Sequence, residues 1–412
     1  MTGATAERCI LLALAVLTVV GGPVAAATWS DAGAPPGRSS LAPRLTRSGD
    51  SLLLSWVETG TEGPTLLFAA WTNGGWTEPR LVHRGEDLIA NWADTPILYA
   101  DPDTELLVAA WPSSSGQGHG YGTRFATSAD GGRTWTARGW LHDVVDDQEH
   151  GFAAFAPQTG RAVWLDGRAM AEGGAMRLMA RRPLGRYSGG DEALSPGREL
   201  VLDDRVCECC SVDVAFAHVG LVIAYRDRSP DEIRDIAVVR ERGDGFHGPL
   251  TVADDGWQIH GCPVQGPAVS ALADRDPAAS TSHLVMVAWF TAAEDRPRVQ
   301  VAFSYDAGDS FTAPMRTSFG DAPVGRVDAL LWDDVRGFVS WIDKEESRGL
   351  VTVMTVGVAG SLSPPDVVGE TTPGRASGVP RLEALEDRLF LAWTEADGDG
   401  NSRVRVATRE VP

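Results

Sequence analysis

The chain has 412 residues, and its 36 Lys and Arg against 56 Asp and Glu give a formal net charge of −20. Phosphate backbones and anionic membrane surfaces are bound by basic patches, so this composition argues against nucleic acids and anionic membranes as partners. The 14 Trp, 46 Gly and 25 Pro are typical of many short strands joined by tight turns, which predicts an all-β fold.

The N-terminal segment predicts export. An apolar run at residues 9–20 follows a short polar start, and small residues follow at 24–27. Such a run is shorter than the roughly twenty residues that a bilayer span needs, and it is typical of a secretory signal peptide. We therefore expect a signal peptide at residues 1–27, a single mature domain at 28–412 with no membrane span, and a periplasmic or secreted protein. A membrane anchor is the alternative.

One apolar strand that ends in an aromatic residue recurs along the whole chain. Successive copies lie 52 to 64 residues apart. Their aromatic residues are Trp56, Trp111, Trp164, Tyr225, Trp289, Trp341 and Trp393. A short strand precedes each copy, and a loop and an alternating strand follow it. Repeats of this kind predict a β-propeller, in which four-stranded sheets pack face to face around an axis, with the aromatic residues packed between blades.

The two ends of the mature chain complement each other. The last repeat stops at Pro412 without a fourth strand, whereas residues 28–31 resemble the fourth strand at residues 76–79 of the first repeat. We therefore predict seven four-stranded blades, with the N-terminal strand completing the last blade and closing the ring. A six-bladed ring with one odd repeat is the alternative.

Two turns share a Ser-x-Asp-x-Gly pattern, in which Asp caps backbone donors and Gly accepts positive φ. Residues 128–135 read Ser-Ala-Asp-Gly-Gly-Arg-Thr-Trp, and residues 304–311 form a weaker copy. The first motif resembles the Asp-box of BNR-repeat propellers in the sialidase superfamily, with Ser128, Asp130, Gly132 and Trp135 in its structural positions. The resemblance covers about residues 28–412, and it marks the fold rather than an activity.

Two further stretches resemble a Cys-rich, exported bacterial group within that superfamily. Residues 224–229 read Ala-Tyr-Arg-Asp-Arg-Ser, and residues 261–268 read Gly-Cys-Pro-Val-Gln-Gly-Pro-Ala. This resemblance supports export and the propeller fold, and it implies no activity.

In a propeller of this topology, the starts of the innermost strands and the loops after the second strands share one face around the axis. His, Cys, Arg and acidic residues concentrate at those positions, so we expect the functional site there, in an axial funnel. The candidate catalytic residues are Asp94, Asp166, Arg168, Arg226 and Arg228. The alternative is that pairs such as Asp166 and Arg168 join neighbouring blades.

The sialidase resemblance implies three arginines for a substrate carboxylate, an acidic acid–base residue and a Tyr nucleophile. Arg44, Arg326 and Arg226 or Arg228 are candidates for the first role, and Asp94 or Asp166 for the second. No Tyr follows Tyr305, which lies in the weaker Asp-box on the opposite face. The sequence therefore lacks the standard sialidase catalytic set.

The mature chain retains four cysteines, in two consecutive repeats. Free thiols do not persist in an oxidising compartment, so they either form two disulfides or hold a metal. On strands, Cys207 and Cys209 would point to one side and could converge with His260 and Cys262 as three sulfurs and one nitrogen, a donor set for zinc or cuprous copper. Further candidate ligands are Cys210 and His150.

These observations lead to one hypothesis and two alternatives. The hypothesis is an exported sialidase-like propeller whose axial face, centred on the Cys/His cluster, binds a soft metal (copper or zinc) or another ligand. The first alternative is an exo-α-sialidase or related glycoside hydrolase that takes a glycan or other small molecule at this face. The second is a non-catalytic interaction scaffold.

Overall fold

The computed structural model describes residues 28–184, 196–275, 282–318, 320 and 323–412. The predicted signal peptide, residues 1–27, lies outside the described residues. Nearly all regular structure is β. The short helical segments are one α-helical turn at Leu272–Arg275 and 3-10 turns at Met170–Glu172, Ala293–Asp295 and Arg375–Ser377.

The described strands fall into seven antiparallel units, numbered here as sheets 1 to 7 along the chain. Sheet 1 contains Ser40–Ser48, Ser51–Gly60 and Gly63–Thr72, with Gly75–Trp76 and Arg80–Arg84 both paired to the third strand. Sheet 2 contains Ile97–Ala100, Leu107–Ser114, Tyr121–Ser128 and Thr136–Trp140. Sheet 3 contains Glu149–Ala156, Arg161–Asp166, Arg177–Arg181 and Leu200–Asp203. A short parallel pairing at His150 and Gly122 links sheets 2 and 3.

The remaining sheets repeat this meander. Sheet 4 contains Asp213–Ala217, Gly220–Arg226, Ile236–Arg242 and Gly245–Thr251. Sheet 5 contains Ala268–Ala271, Val285–Thr291, Arg298–Ser304 and Met315–Arg316. Sheet 6 contains Pro323–Leu331, Arg336–Glu345, Arg348–Gly357 and Asp366–Thr371. Sheet 7 contains Arg381–Leu385, Arg388–Ala396 and Ser402–Glu410, and its fourth strand is the N-terminal Ser30–Asp31, paired with Ser402–Glu410.

The hydrophobic core is divided among the interfaces between neighbouring sheets. Trp56 packs with Leu54 of sheet 1 against Phe390 of sheet 7, and Trp289 packs against residues of sheets 4 and 5. Both tryptophans are fully buried. Because period-2 strands carry apolar side chains on both faces here, each sheet can pack on two neighbours. The predicted all-β propeller fold is confirmed, as is the predicted pairing of the N-terminal strand with the last repeat.

The Ser-x-Asp-x-Gly turn of sheet 2 shows why that sequence is needed. Asp130 Oδ1 accepts hydrogen bonds from the amides of Arg133 and Thr134, both at 2.9 Å. Gly132 has φ of +82°, and a Cβ at this position would fall on the ring of Phe68. The turn joins the third and fourth strands, far from the starts of the innermost strands, so its role is structural.

Carboxylates connect the innermost strands around the axis. Asp213 Oδ2 accepts a hydrogen bond from Val269 N of sheet 5 at 2.9 Å. Asp328 Oδ2 accepts one from Leu382 N of sheet 7 at 2.8 Å, and its Oδ1 lies 3.8 Å from the Arg381 guanidinium. These bonds give acceptors to backbone amides that no neighbouring strand can satisfy.

No helix among the residues described is long and apolar enough to cross a bilayer.

Replacing Asp328 with Ala should lower the free energy of unfolding by about 3–5 kcal/mol, because it leaves the buried Arg381 charge and the Leu382 amide without a partner. Asp399→Ala, at an exposed loop position, is the matched control and should change the free energy by less than about 0.5 kcal/mol. Denaturant titration measures both. Equal stability of the two variants would contradict the role given to Asp328.

Candidate functional site

The site lies on the face where the innermost strands begin, called here the entrance face. The segment with Cys207, Cys209 and Cys210 leads into the first strand of sheet 4, and Cys262 precedes the first strand of sheet 5. Cys207 N donates to Arg226 O at 3.0 Å, which fixes this segment to the end of the second strand of sheet 4.

The cysteines lie in a turn and not on a strand, which corrects the predicted alternation of their side chains. The first strand of sheet 4 begins only at Asp213, and residues 207–210 form a turn before it. A turn does not send successive side chains to opposite sides, so Cys210 joins Cys207 and Cys209 instead of pointing away. The three Sγ atoms lie within 4.8 Å of one another.

The redox states are mixed, since one of the two disulfides in the disulfide alternative is present. Cys209 and Cys262 form a disulfide with a Cα–Cα distance of 6.0 Å. Cys207 and Cys210 are free thiols, each only 1% exposed. Cys262, by contrast, is exposed. A buried thiol pair therefore lies beside a disulfide that reaches the surface.

Two arginines give the free thiols a positive surrounding. Arg234 Nη1 donates to Cys207 Sγ at 3.3 Å. Arg226 is 1% exposed, and its guanidinium donates to the neutral carbonyl oxygens of Gln265, Arg234 and Phe290 at 2.8, 2.5 and 2.7 Å. These carbonyls do not neutralise its charge, so a nearby anionic sulfur is electrostatically favoured.

The two thiols titrate in opposite directions. Burial raises the pKa of Cys207, but a hydrogen bond from Cys210 and the charges of Arg226 and Arg234 outweigh it and lower that pKa to about 6. Burial and the neighbouring Cys207 raise the pKa of Cys210 well above its ordinary range. The Arg234 contact thus favours the thiolate form of Cys207 over that of Cys210.

An ion-pair network borders the cysteines. Arg234 contacts Glu208 at 2.9 Å and Glu232 at 2.8 Å. Arg228 contacts the same two carboxylates, with 2.7 Å to Glu232. The candidate Arg228 is thus engaged with protein carboxylates, and the candidate Arg226 with backbone carbonyls. Arg234 and Glu208, which are not among the candidates predicted from the sequence, complete the surroundings of Cys207. Their positions, in the loop after the second strand and between the cysteines, were the available signal.

Asp166, Arg168 and His150 form a separate buried group in sheet 3. Asp166 is 0% exposed, and it accepts hydrogen bonds from Arg168 Nε and Nη2, both at 2.7 Å. His150 lies between Asp166, at 3.1 Å, and Asp146, at 2.9 Å. Burial raises the pKa of Asp166, but His150 and Arg168 lower it far below its usual value. Both ring nitrogens of His150 face carboxylates and not the cysteine sulfurs.

A second group on the entrance face combines Asp94, Tyr121 and Glu149. Asp94 is 4% exposed, and burial raises its pKa to about 6, despite hydrogen bonds from the Phe152 amide and the Tyr121 hydroxyl. Burial also raises the pKa of Glu149. Gly151 leaves the space for this contact, because a Cβ there would meet both Asp94 and Tyr121. Of these residues only Asp94 was a candidate from the sequence, and Gly151 was the available signal for its neighbours.

Gln265, Arg326 and Trp92 pack together on this face. Gln265 accepts from Arg326 N at 2.8 Å and donates to Val324 O at 2.7 Å, while the Arg326 guanidinium stacks 4.8 Å from the Trp92 ring. The cavity beside these residues has a volume of about 10 Å³, whereas a cavity lined by Arg44, Asp213 and other residues has a volume of about 130 Å³.

The remaining candidate His260 is exposed, on the loop that carries Cys262.

We expect the thiolate absorbance of Cys207 to titrate with a midpoint of about 6. Arg234→Met should raise this midpoint, because it removes the guanidinium in contact with the sulfur. Arg228→Met is the control. Arg228 binds the same two glutamates without touching Cys207, so its replacement should leave the midpoint unchanged. Equal shifts in both variants would contradict the assignment.

The same titration affects stability. Since the folded pKa of Cys207 lies below the ordinary 9.0, its contribution to the free energy of unfolding is complete above pH 9 and is lost as pH falls through about 6.

Comparison with known proteins gives a fold and no closer relationship. No protein-family model matches the chain, and no curated protein matches its sequence. A PL25 ulvan lyase structure is similar with a TM-score of 0.51 and 9% identity, covering 89% of this chain and 92% of the lyase. An α-L-arabinofuranosidase of Fusarium graminearum gives 0.50 and 12%, covering 90% and 93%. The sialidase of Trypanosoma rangeli gives 0.47 and 13%, covering 91% and 60%. The chain thus has the same β-propeller fold as the lyase and the arabinofuranosidase.

Proposed function

We propose that this chain is an exported propeller whose entrance-face cysteine cluster, Cys207, Cys209 and Cys210, binds a soft metal ion. The observation that carries the proposal is the convergence of three Sγ atoms within 4.8 Å. Thiolate sulfur is the ligand type that selects soft ions, above all cuprous copper and zinc.

Cuprous copper suits this donor set better than zinc. A monovalent copper ion accepts two or three sulfur ligands, whereas structural zinc is almost always held by four protein ligands in a tetrahedron. Three sulfurs from one turn match the first requirement. Zinc would need Cys262 or His260 as a fourth ligand from the neighbouring loop.

The surrounding charges support an anionic metal–thiolate group. One cuprous ion with three thiolates carries a net charge of −2, which is costly in a buried place unless positive groups lie close by. Arg234 contacts Cys207 Sγ, and the buried Arg226 donates to neutral acceptors. Arg226 offsets part of the charge of the filled site, and Arg234, which also binds Glu208 and Glu232, adds a direct contact to the sulfur.

The disulfide determines when the full site is available. Cys209 is bonded to Cys262, so it can become a thiolate ligand only after reduction. Export agrees with the sequence of residues 1–27, and a disulfide is typical of an oxidising compartment. Binding of the ion and closure of the disulfide therefore exclude each other at Cys209.

Reduced protein should bind one cuprous ion in an anaerobic titration against a competing chelator. Cys207→Ser should weaken binding by more than about 100-fold, since even changes outside the ligand set typically cost 10–100-fold. Cys262→Ser, which leaves all three ligands in place and frees Cys209, should bind copper without prior reduction. No copper bound to the reduced wild-type protein would refute the proposal, and loss of metal in Cys262→Ser would favour a four-ligand zinc site instead.

A second candidate function, cleavage of a glycan, is favoured by one observation. Asp94 is a buried carboxyl whose pKa is raised to about 6 and which contacts the hydroxyl of Tyr121, the kind of group that can donate a proton to a leaving oxygen. The neighbours named above are carbohydrate-cleaving enzymes, but a shared fold does not transfer an activity. A scaffold without catalysis remains the alternative to both functions.

If the chain cleaves glycans, turnover of a panel of fluorogenic glycosides should fall as pH rises through about 6, where Asp94 loses its proton. Asp94→Asn should lower the turnover rate by at least about 100-fold, the usual contribution of a general acid. Asp31→Asn, at an exposed position, should have no effect. An inactive wild-type protein across the panel would exclude this candidate and leave the metal proposal untouched.

A further inference from the structure

The four cysteines form two pairs, one oxidised to a disulfide and one reduced, and the two pairs lie next to each other. Cys207 and Cys210 have Cys-x-x-Cys spacing and are free and buried. The disulfide partner Cys209 lies between them in sequence, and its Sγ is within 4.8 Å of both of theirs. Thiol–disulfide exchange requires a cysteine sulfur within reach of a disulfide sulfur, and this arrangement supplies both within one turn.

We propose that the cluster is an internal disulfide relay, in which the buried pair Cys207/Cys210 exchanges with the Cys209–Cys262 disulfide. Cys207 loses its proton to solvent and its sulfur attacks Cys209 Sγ. A Cys207–Cys209 bond forms, and the bonding pair of the broken disulfide leaves on Cys262, which takes a proton from solvent. The Cys210 sulfur then attacks Cys207, its proton passes to solvent, and Cys209 leaves as a thiolate. Two electrons have moved from the buried pair to the outer pair, with no external oxidant or reductant.

The contacts assign the order of these steps. Arg234 donates to Cys207 Sγ at 3.3 Å and favours negative charge on that sulfur. Cys210 is hydrogen-bonded to Cys207, so it is in place to attack Cys207 second. The attack on Cys209 and not on Cys262 follows from position, because Cys207, Cys209 and Cys210 share one turn whereas Cys262 comes from the neighbouring sheet.

The relay links the interior to the surface. Cys262 is exposed and Cys209 partly so, whereas Cys207 and Cys210 are each 1% exposed. After exchange the disulfide is buried, and two reactive thiols face solvent. Those thiols can react with a disulfide carried by another molecule in the same compartment, the chemistry of a thiol–disulfide oxidoreductase. The relay uses the cysteines of the proposed metal site, but it needs no metal.

Native protein, purified without reductant or metal, is incubated with a small alkylating reagent and mapped by mass spectrometry without reduction. The reagent should alkylate Cys209 and Cys262 after the exchange, and the mass spectrum should show a Cys207–Cys210 disulfide. In Cys207→Ser, label on Cys262 should be lost, because the sulfur that starts the exchange is missing. Cys210→Ser is the matched control, equally buried, and it should stop at the first step, with label on Cys262 and a Cys207–Cys209 bond.

The relay would be overturned by a wild-type protein that keeps the Cys209–Cys262 disulfide throughout the incubation. It would also be overturned if Cys207→Ser and wild type were labelled alike at Cys262, since exchange would then not start from Cys207. Copper titration of fully reduced protein is the separate readout for the metal proposal. A failed relay with intact copper binding, or the reverse, therefore identifies which of the two proposals is wrong.

Discussion

The structure depends on how backbone amides are satisfied around the axis. Within a sheet the strands bond to one another, but the innermost strands of successive sheets run side by side without a full ladder, and buried amides without acceptors are costly. Asp94, Asp213 and Asp328 meet this requirement, each accepting a bond from the next innermost strand. The same carboxylates bring the charges of Arg44 and Arg381 into the axis, each 3.8 Å from a carboxylate oxygen.

This axial arrangement also determines where chemistry can occur. Trp92, Gln265 and Arg326 pack against one another on the entrance face. The reactive groups lie beside the axis, where chain segments lead into the first strands of sheets 4 and 5. Cys207 is fixed there by a hydrogen bond to the end of a neighbouring strand, which gives the thiol a defined position although its segment has no regular structure.

Charge pairing separates the structural groups from the reactive ones. Asp166 is held ionised by Arg168 and His150, a group that lies within sheet 3 and does not join neighbouring blades as the alternative predicted. Asp94 lacks such a cation and has a raised pKa. Cys207 shows the opposite imbalance, because Arg226 and Arg234 supply positive charge to a buried sulfur. Buried groups with unbalanced charge are the ones whose protonation differs from the ordinary state, and such groups concentrate at functional sites.

The sequence by itself determined the propeller, the N-terminal strand in the last sheet and the two segments that carry the cysteines. These features follow from period-2 strands repeated along the chain, and such local patterns need no knowledge of distant contacts. Only the tertiary structure decided which cysteines pair, since four cysteines allow three pairings and Cys209 and Cys262 are 53 residues apart. It also replaced the assumed strand at 207–210 with a turn and brought Arg234 to Cys207. The disulfide and the Arg234–Cys207 contact form between segments that are distant in sequence and adjacent only in the folded chain. The repeat pattern contains no information about such contacts.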